Sequence, residues 1–77
     1  MSIRVKFFAS LRETIGKAEH NLDAQNINTA RDVWQTATDN HEQLPNMLVA
    51  INMEYAKLND NVKDGDEVAF FPPVTGG

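Results

Sequence analysis

The sequence predicts an α+β roll, a mixed sheet of about five strands with one main helix on one face. Three observations carry this. Ala30, Val33, Trp34 and Ala37 recur at helical spacing, i, i+3, i+4, i+7. Ile3–Phe8 and Glu67–Phe71, near the two ends of the chain, alternate with the period of a strand. Met47–Ile51 is a short, partly β-branched apolar run that suits a strand buried on both faces.

The elements follow in order. In Ile3–Phe8 the residues Ile3, Val5 and Phe7 share one face, and Arg4, Lys6 and Phe8 the other. With the first set in the core, Phe8 falls on the polar face. Either another element covers it there, or it contacts a partner. Ala9–Ile15 reads as a short helix or helical turn. Leu11 and Ile15 lie four apart, Ser10 and Glu13 are placed for a capping box, Arg12 faces outward and Gly16 provides the stop. Lys17–Leu22 alternates weakly and reads as a second strand, antiparallel to the first. Thr29 is a suitable N-cap for the main helix, residues 30–40, with Asp32 at the third helical position. Asp39–His41 ends that helix and Pro45 prevents its continuation. Trp34 reads as a core anchor. Asn52–Glu54 is a turn and Tyr55 part of a short return strand. Lys63–Asp66 is a tight turn with Gly65 at the positive-φ position. The last strand places Val68 and Phe70 inward, and Ala69 and Phe71 outward. In this order the first and last strands can pair at the centre of the sheet, which puts Phe8 and Phe71 together on the face opposite the helix.

Composition narrows the function. The chain has 77 residues, no Cys and a net charge of −4. That length makes one small domain, which buries only about 60% of its unfolded surface. The absence of Cys removes disulfides, thiolate nucleophiles and Cys-based metal sites. The negative charge argues against nucleic acid and against an anionic membrane surface. No apolar run reaches signal-peptide or transmembrane length, so a cytoplasmic domain is expected. His20 and His41 stand twenty-one positions apart with no metal-ligand pattern near either, so no metal is expected. Ser2 and Ser10 have no base partner, and the glycines form no phosphate loop.

The end of the chain is the remaining candidate. Residues 1–71 read as the folded domain, and residues 72–77 as a flexible tail: Pro72, Pro73, Val74, Thr75, Gly76, Gly77. Pro72 and Pro73 favour an extended exit from the sheet. Val74 and Thr75 are β-branched and keep it extended. Six residues reach roughly 20 Å at about 3.3 Å each, enough to enter a buried active site. Gly76 and Gly77 have no Cβ to block a narrow channel. The handle is the Gly77 carboxylate, a poor electrophile until ATP converts it to an acyl-adenylate. Taken alone, a Gly-Gly end fits a frayed terminus equally well.

Two stretches resemble a known family. Val5-Lys6-Phe7-Phe8-Ala9-Ser10-Leu11-Arg12-Glu13 and Asp64–Gly77 are similar to the sulfur-carrier small subunits of molybdopterin synthase, which are ubiquitin-like β-grasp proteins; Val49-Ala50-Ile51-Asn52 is similar as well. The resemblance covers most of the chain. It implies that an adenylating, E1-like partner activates Gly77 with ATP and that sulfur from a persulfide donor makes it a thiocarboxylate. The tail then enters the large synthase subunit and gives its sulfur to cyclic pyranopterin monophosphate (precursor Z), building the molybdopterin dithiolene. It further implies a heterotetramer with two copies of each subunit, with no cofactor bound by this chain and the acid–base residues on the large subunit. Phe8, Phe71 and Arg12 match family positions in the partner contact; Tyr55 falls where the family often has an aliphatic interface residue. The alternatives are a sulfur carrier for thiamine or tRNA, whose tails also end in Gly-Gly, and a plain interaction domain without chemistry of its own.

Overall fold

The computed structural model describes residues 2–42 and 46–73. Its order is β1 (Ser2–Phe7), α1 (Ser10–Ile15), β2 (Glu19–Asp23), α2 (Ala30–Ala37), β3 (Leu48–Ile51), β4 (Glu54–Ala56) and β5 (Glu67–Phe71). The strands form one five-stranded sheet in the order β2-β1-β5-β3-β4. The expected α+β architecture is present.

The centre of the sheet is the parallel pair β1–β5, in register from Arg4↔Glu67 to Phe7↔Phe70. β2 runs antiparallel on the outer side of β1, and β3 antiparallel on the far side of β5. Because strand side chains alternate, this register sends Ile3, Val5, Phe7, Val68 and Phe70 to one face, where all are buried. Trp34, fully buried on α2, closes that face. Its ring meets Phe70 edge-on at 5.0 Å and Phe7 at 6.0 Å, and its Nε1 donates to the His41 carbonyl at 2.8 Å. The indole is thus both packed and satisfied, as a buried Trp must be.

α2 begins as its sequence requires. Thr29 Oγ1 accepts from the Asp32 N–H, and the Asp32 carboxylate accepts from the N–H groups of Asn28 and Thr29. The helix ends earlier than the expected residue 40. Thr38 Oγ1 donates to the Trp34 carbonyl at 2.6 Å, and Asp39 and Asn40 both take positive φ. A hydroxyl bonding back to i−4 and residues tolerant of left-handed geometry stop the helix there. Pro45, the expected barrier to continuation, lies outside the described residues.

Three other expectations change. Ser10 does not cap α1. It is the first helical residue, and the cap position is Ala9 at φ 53 with no side-chain bond. The chain leaves β1 too sharply for a capping box, and backbone bonds from Leu11 N–H to Phe8 and from Arg12 N–H to Ala9 close the turn. Gly16 does end the helix, at φ 89. β2 starts at Glu19, not Lys17, although the Ala18 carbonyl still accepts from the Phe7 N–H. β3 is not buried throughout: Val49 and Ala50 are buried, and Leu48 and Ile51 half-buried.

Two measurements test this account. Thr29→Ala removes the cap acceptor and is expected to cost about 1 kcal/mol. Thermal denaturation should register that as a fall of about 4–8 °C for a domain of this size. His20 is half-buried, 3.4 Å from Lys17 Nζ. Partial burial first, and the Lys17 charge second, hold its pKa below the ordinary 6.5. The unfolded chain therefore takes up this proton more readily than the folded one. Stability from this group is complete above pH 6.5 and lost as pH falls through the lower folded value. His20→Gln should flatten the loss of stability between neutral and mildly acidic pH, followed by denaturant titration.

Candidate functional site

The face of the sheet opposite α2 is uncovered. Register fixes its rows. In one, Glu19, Lys6, Ala69, Ala50 and Tyr55 follow each other across β2, β1, β5, β3 and β4. In the next, Phe71 of β5 is paired with Leu48 of β3, and Phe8, just past β1, lies beside Phe71.

Ala69 and Ala50 are the smallest side chains of the first row, and they stand in its middle. The result is a hollow of about 320 Å³, floored by the two alanines and walled by Lys6, Phe8, Met53, Tyr55, Glu67 and Phe71. Ala69 points outward as expected but is buried, because it lies at the bottom of this hollow. Phe8 and Phe71 stack at 4.9 Å with their planes 6° apart. Tyr55 leans on Phe71 at 6.5 Å. Phe8 is 39% exposed, Tyr55 79% and Met53 89%. Three neighbouring aromatics with open surface form a contiguous apolar patch, the usual mark of an interaction site. No element of the described chain covers Phe8.

Charge frames the patch. Glu67 pairs with Arg4 at 3.4 Å and Lys6 at 3.5 Å along one border. These pairs are solvent-facing and contribute little to stability. On the far side of Phe8 a second depression is lined by Lys6, Arg12, Ala18 and Glu19. It carries the exposed Arg12 alongside the aromatic patch. Phe8, Phe71 and Tyr55 thus come together, and Arg12 borders them. Pro72 is half-buried and Pro73 exposed directly after Phe71. The exit of the chain therefore starts beside the patch. Val74, Thr75, Gly76 and Gly77 lie outside the described residues.

A polar clasp holds the patch's outer wall. Asp66 is buried; one carboxylate oxygen accepts from Asn52 Nδ2 at 2.9 Å and the other from the Lys63 N–H at 2.9 Å. Asn52 Oδ1 accepts from the Glu67 N–H at 3.0 Å, and the Asn52 N–H donates to the Glu67 carbonyl at 2.7 Å. The β3–β4 turn is thereby tied to the start of β5. Lys6, Ala50, Met53, Glu67 and Ala69 were not anticipated as site residues. The outward placement of Ala69 was legible, but the hollow depends on which residue of β3 lies opposite it. Among the described residues no group of three or more His, Cys, Asp or Glu could hold a metal, and no helix is long and apolar enough to cross a membrane.

The profile of the ThiS family matches residues 5–77. The chain belongs to the ThiS family. It is 38% identical to a protein of Haemophilus influenzae named molybdopterin synthase sulfur carrier subunit, over 97% of this chain and 99% of that one. Its structure is similar to the SAMP1 protein of Haloferax volcanii, with a TM-score of 0.81, 30% identity and full coverage of both chains. It is also similar to a chain in the complex of subunits 1 and 2 of the molybdopterin-converting factor from Helicobacter pylori, at a TM-score of 0.65 and 27% identity over both full chains. The fold is the ubiquitin-like β-grasp.

The clasp can be tested directly. Asp66→Ala leaves the Asn52 amide and the Lys63 N–H without their acceptor. It is expected to cost about 1–3 kcal/mol in chemical denaturation.

Proposed function

We propose that this chain is the sulfur carrier of molybdopterin synthase. Its open face docks on the large subunit of that enzyme, with two copies of each subunit in the assembly. The Gly77 carboxylate carries the sulfur. The observation that supports this most is the stacked Phe8–Phe71 pair beside the exit of Pro72 and Pro73, in a chain matched along its length by sulfur-carrier subunits.

The chemistry follows from the needs of a carboxylate. An E1-like enzyme transfers AMP from ATP to Gly77 and releases pyrophosphate. The terminal sulfur of a persulfide attacks the acyl carbon and AMP leaves. A thiol then cleaves the acyl disulfide and frees the thiocarboxylate. In the large subunit that sulfur passes to cyclic pyranopterin monophosphate, and two such transfers complete the dithiolene. This chain supplies position and sulfur. It binds no cofactor itself, ATP is consumed by the activating partner, and the work is cytoplasmic. Arg12 and Tyr55 border the docking patch, and the tail from Pro72 to Gly77 reaches the acceptor.

The likeness to SAMP1 supports a second reading. That protein is named a small archaeal modifier protein, and in this reading the same activated end serves an acceptor other than the large subunit. Binding to the large subunit separates the two.

Incubation with the adenylating enzyme, ATP and a sulfur donor should exchange one oxygen of Gly77 for sulfur, read by intact-mass spectrometry. An unchanged mass with an active partner enzyme excludes the carrier reading. Deleting Gly77 should abolish sulfur transfer and leave the melting temperature unaltered. Phe71→Asp should weaken binding to the large subunit by about 2 kcal/mol or more, with a smaller effect on folding.

A further inference from the structure

The connection between β3 and β4 has two residues, Asn52 and Met53, since Ile51 and Glu54 are register partners. Both residues take positive φ, 52° and 71°. That is the type I′ geometry, in which Asn suits the first place and Gly the second. Asn52 fits. Met53 stands where a side chain is sterically disfavoured.

The turn has no easy way to relax. Both polar ends of the Asn52 side chain are engaged, by Asp66 and by the Glu67 N–H, and its backbone N–H is held by Glu67 as well. The strained residue is therefore fixed in place with 89% of its surface exposed. Met53 lines the hollow together with Tyr55 and Phe71. An exposed, unbranched apolar side chain on a rigid mount can adapt to a partner surface.

We infer that Met53 is an affinity-determining contact of the docking face, seated in an apolar socket of the large synthase subunit, and that the turn keeps its strain in order to present it. This rests on the docking reading above. The occupant follows from continuity: Met53 walls the same hollow as Phe8 and Phe71, and a similar chain forms a complex of subunits 1 and 2 in Helicobacter pylori.

The test measures melting temperature and the Kd for the large subunit from the same source. Met53→Gly should melt a few degrees higher than the parent and bind at least about 10-fold more weakly. Met53→Asn, which keeps a residue tolerant of positive φ, should also bind more weakly without melting lower. Parent-like binding by both variants overturns the inference. A lower melting temperature for Met53→Gly overturns the claim of strain. Phe71→Asp separates the two levels. If it too binds like the parent, the open face is not the docking face and the functional reading fails. If it loses binding while both Met53 variants keep it, only the role of Met53 fails.

Discussion

The parallel pairing of β1 with β5 is the constraint from which the rest follows. It brings the Phe7-Phe8 step at the end of β1 alongside the Phe70-Phe71 step of β5. Phe7 and Phe70 go inward, stacked at 5.9 Å and both against Trp34. Phe8 and Phe71 go outward and stack on each other. One pairing therefore builds the core and the exposed aromatic patch together. A slip of one residue would exchange the two faces, burying Lys6 and exposing Phe7. Loss of Trp34 contact and of the Glu67 ion pairs would both oppose that slip.

The open face combines features that serve different ends. Its aromatics supply contiguous exposed apolar area. Its charges form pairs within the chain, Glu67 with Arg4 and Lys6, so the border is polar without being strongly of one sign. In the Asn52–Asp66 clasp Asp66 is buried and Asn52 exposed, and each Asp66 carboxylate oxygen accepts a hydrogen bond that compensates its burial. A polar group of this kind fixes where the outer wall stands relative to the central strands. Shape on this face is a product of small residues at the centre and a restrained turn at the edge.

Much of this was legible in local pattern. The faces of β1 and β5 follow from alternation alone, and the start of α2 from Thr29 and Asp32, because each depends on residues within a few positions. Gly16 and Gly65 were readable for the same reason; both have positive φ. The failures share a cause of the opposite kind. Whether Ser10 caps α1 depends on how the chain leaves β1, which Ala9 decides with an unusual backbone. The hollow over Ala50 and Ala69 depends on register between strands far apart in sequence. Met53 reads as an ordinary turn residue until the two-residue length of its connection is known. The meeting of Phe8 and Phe71 on the open face was legible from alternation, whereas the placing of Tyr55 against Phe71 and of Met53 at the edge of the hollow was not.

The position of β5 has a consequence for synthesis. Arg4 and Glu67, 63 positions apart, are register partners in the middle of the sheet. Contacts this distant in sequence form late and slow the folding of small domains. On the ribosome, β1 and β2 emerge early with no neighbour for the inner edge of β1, and β3 with β4 wait likewise. Only when residues 67–71 clear the exit tunnel can the two halves join. A chain truncated before that strand lacks Val68 and Phe70 from the core and Phe71 from the open face, and the strand that joins the two halves of the sheet is missing.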